Sequence, residues 1–241
     1  MINIHLHDQA LAHILASAFE SYIVPLPSNL SSGNHIPVET CGSLFGRKTV
    51  GLNGNSSTVQ LDLTYASVHT IVDRQQDSCE CYFQSDMLHR AVHMQIMPTL
   101  EYVGDFHSHP YRCGEALDDG TTVDLRLINR QGLYRFSGSP GGSEGDFGNV
   151  RKMLQVGPYY LGIVVTLYKM RTAGTLHTGR YIDHHSAIEF PYYGDDGTGK
   201  TLSFRCWIKA HVFDSDSALP VDDSSVKLYC PVLGMSQTMF C

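Results

Sequence analysis

The chain has few charged residues and no run of basic ones. Lysine and arginine number 17 against 24 aspartates and glutamates, the net charge is −7, and charged residues make up 17% of the sequence. Binding to nucleic acid depends on clustered cations that neutralise phosphates, so this composition argues against a nucleic-acid partner. Hydrophobic residues make up 42% of the sequence, which is typical of a globular protein.

Long hydrophobic runs are also missing. No stretch approaches the roughly 20 apolar residues of a membrane-spanning helix, and the N-terminus lacks the basic and apolar regions of a signal peptide. The seven cysteines are an odd number, and Cys79 and Cys81 are too close in sequence for a stable mutual bridge. We therefore expect no membrane association, mostly free thiols, and a soluble cytoplasmic protein.

The length suits one large domain or two small ones. No repeat or linker divides the chain, so we predict a single domain, residues 1–241, of the α/β (α+β) class, with a mixed central sheet flanked by helices and with loop insertions. Apolar residues at helical spacing predict helices within 5–22 and 83–97. The run 161–168 is the strongest signal for a buried strand, and the glycine-rich segment 137–148 is interpreted as a flexible insertion.

Two histidines one residue apart end a predicted strand. His107 and His109 stand in the string VGDFHSHP (103–110), and an extended backbone points residues two apart to the same face. Neutral imidazoles are ligands for zinc and related ions. The spacing is a weak signal by itself in a chain with 13 histidines, so a metal site here requires further ligands from elsewhere.

Several carboxylates that follow the histidines could complete a ligand set: Glu115, Asp118, Asp119 and Asp124. Asp124 follows a hydroxyl residue, Thr121, by three positions. If Thr121 caps a helix, Asp124 lies on its first turn, beside a hydroxyl and free backbone N–H groups. Two histidines and one carboxylate form a catalytic zinc shell with a fourth position for water.

A general base is needed beside such a metal, and Glu39 is the leading candidate. It begins a short apolar segment in which Gly42 and Gly46 let other backbone approach closely. A carboxylate there could take a proton from water and pass it to a leaving amine. Read in isolation, Glu39 is more simply interpreted as a solvated residue at the start of a strand.

Together these strings resemble the signature of the JAMM (JAB/MPN-plus) zinc metalloproteases. The matching residues are Glu39-Thr40-Cys41-Gly42 with Leu44 and Gly46, then Gly104-x-x-His107-Ser108-His109-Pro110, then Thr121-x-x-Asp124. The order of the predicted helices and strands is similar as well. The resemblance covers roughly residues 5–170 and leaves 170–241 as extra strands and a C-terminal tail.

The resemblance implies an MPN-type domain that binds one Zn²⁺ through His107, His109 and Asp124. It also implies that Glu39 activates the water at the metal and that Thr121, where the family usually has serine, stabilises the oxyanion. The implied activity is that of a deubiquitinase-like isopeptidase or peptidase. Its partner would be ubiquitin or a ubiquitin-like protein, cleaved at the C-terminus during deconjugation or precursor processing.

The chain departs from the family in the spacing after the second histidine. Fourteen residues separate His109 from Asp124, where the family usually has about ten. Either the loop around 113–119 is enlarged, or Asp118 or Asp119 is the ligand instead. Cys113 in this loop could bind a second metal or control access, although an incidental free thiol is the simpler interpretation.

Other functions fit the same residues. One is processing of a sulfur-carrier-type ubiquitin-like precursor or cleavage of a small amide adduct. Another is a metal-free MPN scaffold that only binds partners, but a scaffold should have lost one of the positions of the signature, and all of them are present. The small acidic chain also resembles stand-alone members of bacterial ubiquitin-like conjugation systems, including those in antiviral defence operons.

Overall fold

The computed structural model describes residues 1–25, 36–53, 56–75, 78–117, 119–153, 159–170, 178–214 and 217–235. In chain order the strands are β1 (Ile2–Leu6), β2 (Cys41–Asn53), β3 (Ser56–Val68), β4 (Val72–Arg74), β5 (Cys79–Cys81), β6 (Glu101–Tyr111), β7 (Tyr159–Lys169), β8 (Arg180–Ile182), β9 (Ala187–Asp195), β10 (Thr201–Asp214) and β11 (Val226–Tyr229). The helices are α1 (Asp8–Ile23), α2 (Phe83–Ile96), α3 (Leu125–Gln131) and α4 (Gly145–Met153).

The centre of the fold is a nine-stranded mixed sheet in the order β11-β1-β3-β2-β6-β7-β10-β9-β8. Strand β6 is paired on both sides, antiparallel to β2 and parallel to β7. Strands β4 and β5 form a separate two-stranded ribbon. This architecture confirms the mixed α and β class and the mixed central sheet, while the MPN-specific arrangement stays a prediction.

The first predicted helix is confirmed as α1, preceded by the short strand β1, which the sequence did not predict. Leu11, Ile14 and Ala18 recur at helical spacing and are buried in the largest core cluster of the protein, together with Leu63 and Ile163 of the sheet. This spacing is what places one face of α1 against the sheet.

The second predicted helix is confirmed as α2. Two of the apolar residues that predicted it, Met87 and Met94, nevertheless remain exposed. The predicted buried strand lies within β7, whose residues from Leu161 to Leu167 are buried throughout. A strand that is covered on both faces can be apolar at every position, which explains the continuous run.

The C-terminal strands are part of the main sheet. Strand β10 pairs with β7 along its length, and β11 pairs in parallel with β1 at the opposite edge. Trp207 and Lys209 of β10 are completely buried. Within the described residues, no helix is both long enough and apolar enough to cross a membrane.

Candidate metal centre

The two histidines of the His-x-His string lie on one face of β6. Their Nε2 atoms are 3.1 Å apart, and the side chains of His107 and His109 are 17% and 7% exposed. Upstream in the same strand, Gly104 has a φ of +154°, and a Cβ atom there would come within 1.8 Å of the carbonyl oxygen of Leu161. Glycine at this position therefore lets β6 lie close against β7 just before the histidines.

The third member of the cluster is Asp146, in the first turn of α4. Its Oδ2 lies 3.2 Å from Nε2 of His107 and 3.4 Å from Nε2 of His109. In the part of the chain that the structure describes, this is the one group of three His, Cys, Asp or Glu residues whose ligand atoms converge, all within 4.8 Å of one another. The chain thus brings two imidazoles and one carboxylate to a common point.

Asp146 is held in place by the loop that precedes α4. The backbone N–H of Ser137 donates to Oδ2 of Asp146 at 2.7 Å, and the N–H of Asp146 donates to Oγ of Ser137 at 3.0 Å. Gly145 has a φ of +63°, and a Cβ on it would lie 2.7 Å from that Oγ. Glycine therefore permits the close reciprocal contact that aims the carboxylate at the histidines.

His109 is oriented by a carbonyl oxygen. Its Nδ1 lies 3.1 Å from the oxygen of Leu133, and since a carbonyl can only accept, the proton belongs on Nδ1. Once the ring is neutral, as a metal requires, this assignment leaves the lone pair of Nε2 facing His107 and Asp146. Such an outer partner is the usual arrangement for a histidine that ligates a metal.

The segment that carries Leu133 is anchored by the C-terminal part of the chain. Arg135 forms a two-bond ion pair with Asp183, at 2.6 and 2.9 Å, and the hydroxyl of Tyr134 donates to the same carboxylate at 3.0 Å. The backbone N–H of Phe136 donates to Nε2 of the buried His211 in β10. Residues beyond the resemblance region therefore help to fix the carbonyl that orients His109.

The ionisation of the cluster follows from its packing. Burial lowers the pKa of His109, but the contacts with Asp146 and Glu39 outweigh burial and raise this pKa to about 9. Burial raises the pKa of Asp146, and the two neighbouring histidines reverse that effect and hold the pKa well below its ordinary value. Without a metal, the cluster is thus an ion pair between a carboxylate and an imidazolium, and a bound cation would displace the proton.

Glu39 lies beside the cluster, as expected. Its side chain is 7% exposed, and Oε1 is 3.9 Å from Nε2 of His109. Ser108, between the two histidines, holds this segment: the N–H of Thr40 donates to Oγ of Ser108 at 3.0 Å, and the N–H of Ser108 donates to the oxygen of Thr40 at 2.9 Å. On the other side, the N–H of Glu39 donates to the oxygen of Gln75.

Asp124 and Thr121 are placed differently from the expectation. Asp124 is the N-cap of α3, and its Oδ1 accepts a hydrogen bond from the N–H of Leu127 at 2.6 Å. Thr121 donates its N–H to Oδ1 of the exposed Asp119 in the preceding turn. The structure thus brings Asp146, and not Asp124, to the histidines. The physical reason is that an aspartate at the start of a helix can accept a hydrogen bond from a free backbone N–H group. Asp124 does so as the N-cap of α3 and does not serve as a member of the cluster.

The remaining alternatives lie apart from the cluster or outside the described residues. Asp119 is not a member of the converging group, and Asp118 falls outside the residues that the structure describes. Cys113 is an exposed free thiol.

Asp146, the third member of the cluster, carries a signal in the sequence. Ser143-Glu144-Gly145-Asp146 repeats the hydroxyl-x-x-aspartate spacing with serine, the residue usual in the resembled family. It lies inside the glycine-rich segment 137–148, whose composition predicts a flexible insertion, whereas the structure has the start of α4 there. Ser143 itself is exposed, two residues before that helix begins.

Comparison with protein-family models finds no match for this chain, and comparison with curated proteins finds none either. The resemblance to the JAMM metalloproteases therefore rests on the motifs and remains a prediction.

Proposed function

We propose that this protein is a zinc-dependent isopeptidase or peptidase that cleaves at the C-terminus of ubiquitin or a ubiquitin-like protein. The observation that supports this most directly is the convergence of His107, His109 and Asp146, with the buried carboxylate of Glu39 next to them. Two imidazoles, one carboxylate and a nearby second carboxylate are the parts of a hydrolytic zinc site.

The distances within the cluster are within about 0.2 Å of those around a zinc ion. Tetrahedral zinc binds nitrogen and oxygen at about 2.0–2.2 Å, which separates its ligand atoms by roughly 3.3–3.6 Å. The three separations here are 3.1, 3.2 and 3.4 Å. The proposed ligands are His107, His109 and Asp146. Asp146 takes the place that the resemblance implies for Asp124. A zinc ion held there would polarise a carbonyl group and lower the pKa of water.

Glu39 is placed to act as general base and then as general acid. Its carboxylate would take a proton from the attacking water as the new C–O bond forms at the scissile carbonyl. It would then deliver this proton to the leaving amine as the C–N bond breaks. The bonds that Ser108 and Gln75 make to its segment hold the carboxylate in position for both transfers.

Ser143 takes the oxyanion role that the resemblance implies for Thr121. It stands three residues before Asp146 and two residues before α4 begins. A hydroxyl group there can donate a hydrogen bond to the carbonyl oxygen as this oxygen gains negative charge, which lowers the barrier to attack.

The substrate class follows from the resemblance of the glutamate and His-x-His strings to deubiquitinase-like JAMM enzymes. A protein tail would have to reach the cluster in an extended conformation, with its backbone exposed to Glu39. The six cysteines among the described residues are free thiols, which supports the proposal that the enzyme acts in the cytoplasm.

The test measures zinc content and cleavage of linear ubiquitin-like fusions by the full chain. We expect one zinc per chain and cleavage after the C-terminal residue of the ubiquitin-like part. Glu39→Gln should keep zinc and lose cleavage by at least about 100-fold, and His109→Ala should lose both. The matched control is Glu101→Gln, which changes an exposed glutamate in β6, the strand that carries the two histidines. This variant should behave as the parent. A chain that takes up no zinc, or a Glu39→Gln variant that cuts normally, would overturn the proposal.

A further inference from the structure

Two cysteines outside the metal cluster lie against each other. Cys41 begins β2 and Cys79 begins β5, and Sγ of Cys79 lies 2.7 Å from Sγ of Cys41. Both are free thiols. A disulfide bond measures about 2.05 Å, so a small movement of one side chain separates this contact from a covalent bond.

The backbone around both cysteines is fixed, so the contact follows from the fold. Cys41 is paired with His107 in the ladder between β2 and β6, and its carbonyl oxygen accepts from the N–H of His69. Cys79 is paired with Arg74 in the β4–β5 ribbon. Each sulfur therefore projects from a hydrogen-bonded strand toward the other.

The pair is also accessible from one side. Cys41 is buried, whereas Cys79 is partly exposed, so a small oxidant can reach Cys79 first. Cys81, two residues further along β5, has its Sγ 3.5 Å from the carbonyl oxygen of Tyr82 and not against Cys41. Of the two cysteines of β5, Cys79 is therefore the one whose sulfur contacts Cys41.

A metal site is the competing use of two adjacent thiols. Zinc would need at least one further histidine, cysteine or carboxylate within reach of both sulfurs. Among the described residues, the only converging group of three such side chains is the one that contains His107, His109 and Asp146. The surroundings of the pair therefore favour sulfur–sulfur chemistry.

We propose that Cys41 and Cys79 form a reversible disulfide by exchange with a small-molecule disulfide of the glutathione type. The thiolate of Cys79 attacks one sulfur of the oxidant, its S–S bond breaks, and one small thiol leaves. The thiolate of Cys41 then attacks Sγ of Cys79, the mixed disulfide breaks, and the second small thiol leaves. The two protein thiols are oxidised, the oxidant is reduced to two thiols, and these carry the two protons.

The bridge would connect the β4–β5 ribbon to the strand that follows Glu39. The carbonyl oxygen of Gln75, directly after β4, already accepts a hydrogen bond from the backbone N–H of Glu39 at 2.8 Å. A covalent bond between β2 and β5 would hold the ribbon, and with it this carbonyl, against the Glu39 segment. The chemistry of the pair is independent of the proposed peptidase activity.

The test equilibrates the full chain in glutathione buffers from fully reducing to strongly oxidising, blocks free thiols in acid, and maps the bridges by peptide mass spectrometry. We expect a peptide pair linked through Cys41 and Cys79 to accumulate and to disappear when a dithiol reductant is added. Cys79→Ser should abolish it, and the matched variant Cys81→Ser should retain it. Hydrogen exchange at the amide of Glu39 should be slower by several-fold in the oxidised chain.

The parent chain alone can overturn the proposal, whatever the variants do. Complete alkylation of Cys41 in the most oxidising buffer would overturn it, because Cys41 would then still be a free thiol. A bridge between Cys79 and Cys81 would also overturn it, and so would glutathione adducts on Cys79 without a bridge. A second zinc per chain that is lost in Cys79→Ser would show instead that the thiols bind metal. None of these results depends on whether the protein cleaves a ubiquitin-like substrate.

Discussion

Oδ2 of Asp146 lies 3.2 Å from Nε2 of His107, although the two residues belong to α4 and β6, which residues 112–144 separate along the chain. This connecting segment supplies the carbonyl of Leu133 to His109 and contains Ser137, which forms hydrogen bonds with Asp146. It thus provides an orienting contact and supports the third side chain of the candidate metal centre.

The first prediction separates the two candidate aspartates. Asp146→Ala should weaken zinc binding by more than about 100-fold, because the loss of even an outer partner costs about 10–100-fold. Asp124→Ala should keep full zinc affinity but lower the free energy of unfolding by about 1 kcal/mol, since it removes the cap of α3. Zinc titration and urea unfolding of both variants measure the two effects. The opposite pattern, with zinc lost only in Asp124→Ala, would restore the ligand set expected from the sequence.

Local patterns predicted the parts of this fold that depend on local structure. The helical spacing of α1 and the pleat of β6, which puts His107 and His109 on one face, are properties of short segments, and the structure confirms both. The position of Glu39 beside His109 was also expected, although it requires pairing of β2 with β6. The resemblance supplied this non-local relation.

Sequence patterns do not identify Asp146 as the third member of the cluster, because its position is not a local property. A hydroxyl-x-x-aspartate pattern marks a helix cap as readily as a ligand, and the chain contains the pattern at both Thr121 and Ser143. Which of the two aspartates lies beside the histidines depends on the path of residues 112–144 between β6 and α4. The glycines around Ser143 suggested flexibility, whereas Gly145 permits the contact between Ser137 and Asp146.

The second prediction concerns the support of Asp146 by the loop. Ser137→Ala removes the hydroxyl that accepts the N–H of Asp146 but keeps the backbone bond to its carboxylate. We expect zinc affinity to fall by about 10-fold, the lower end of the range for outer partners. Ser139→Ala, an exposed serine of the same loop, is the matched control for the competition titration. Equal affinities in both variants would show that the hydroxyl does not position the ligand.

The third prediction tests the oxyanion role. Ser143→Ala should keep one zinc per chain and lower kcat by about 100- to 1,000-fold, as is usual when one oxyanion donor is removed. Thr121→Ala should leave kcat unchanged, because the structure places Thr121 beside Asp119. Steady-state cleavage of a ubiquitin-like fusion gives both values. A loss of rate in Thr121→Ala with a normal Ser143→Ala would reverse the assignment.

A second histidine environment, away from the metal cluster, provides a measure of pH-dependent stability. His69 is 3% exposed, and its Nε2 lies 3.0 Å from Oγ of Ser43 and 3.8 Å from Oδ1 of Asp86. Burial lowers the pKa of His69 to about 4, and the charge of Asp86 offsets only part of this effect. The folded protein therefore keeps this ring neutral.

The fourth prediction follows from that pKa. Between pH 6.5 and about 4, the unfolded chain binds a proton at His69 that the folded chain does not bind, so the free energy of unfolding should fall as the pH falls through this window. The lowered pKa of His69 contributes at most about 3 kcal/mol to this decrease in the free energy of unfolding. His69→Gln should therefore lose less stability than the parent between pH 7 and 4.5, although it is less stable at pH 7. Urea unfolding at several pH values measures both curves. Parallel curves would mean that His69 is protonated as readily in the folded chain as in the unfolded one.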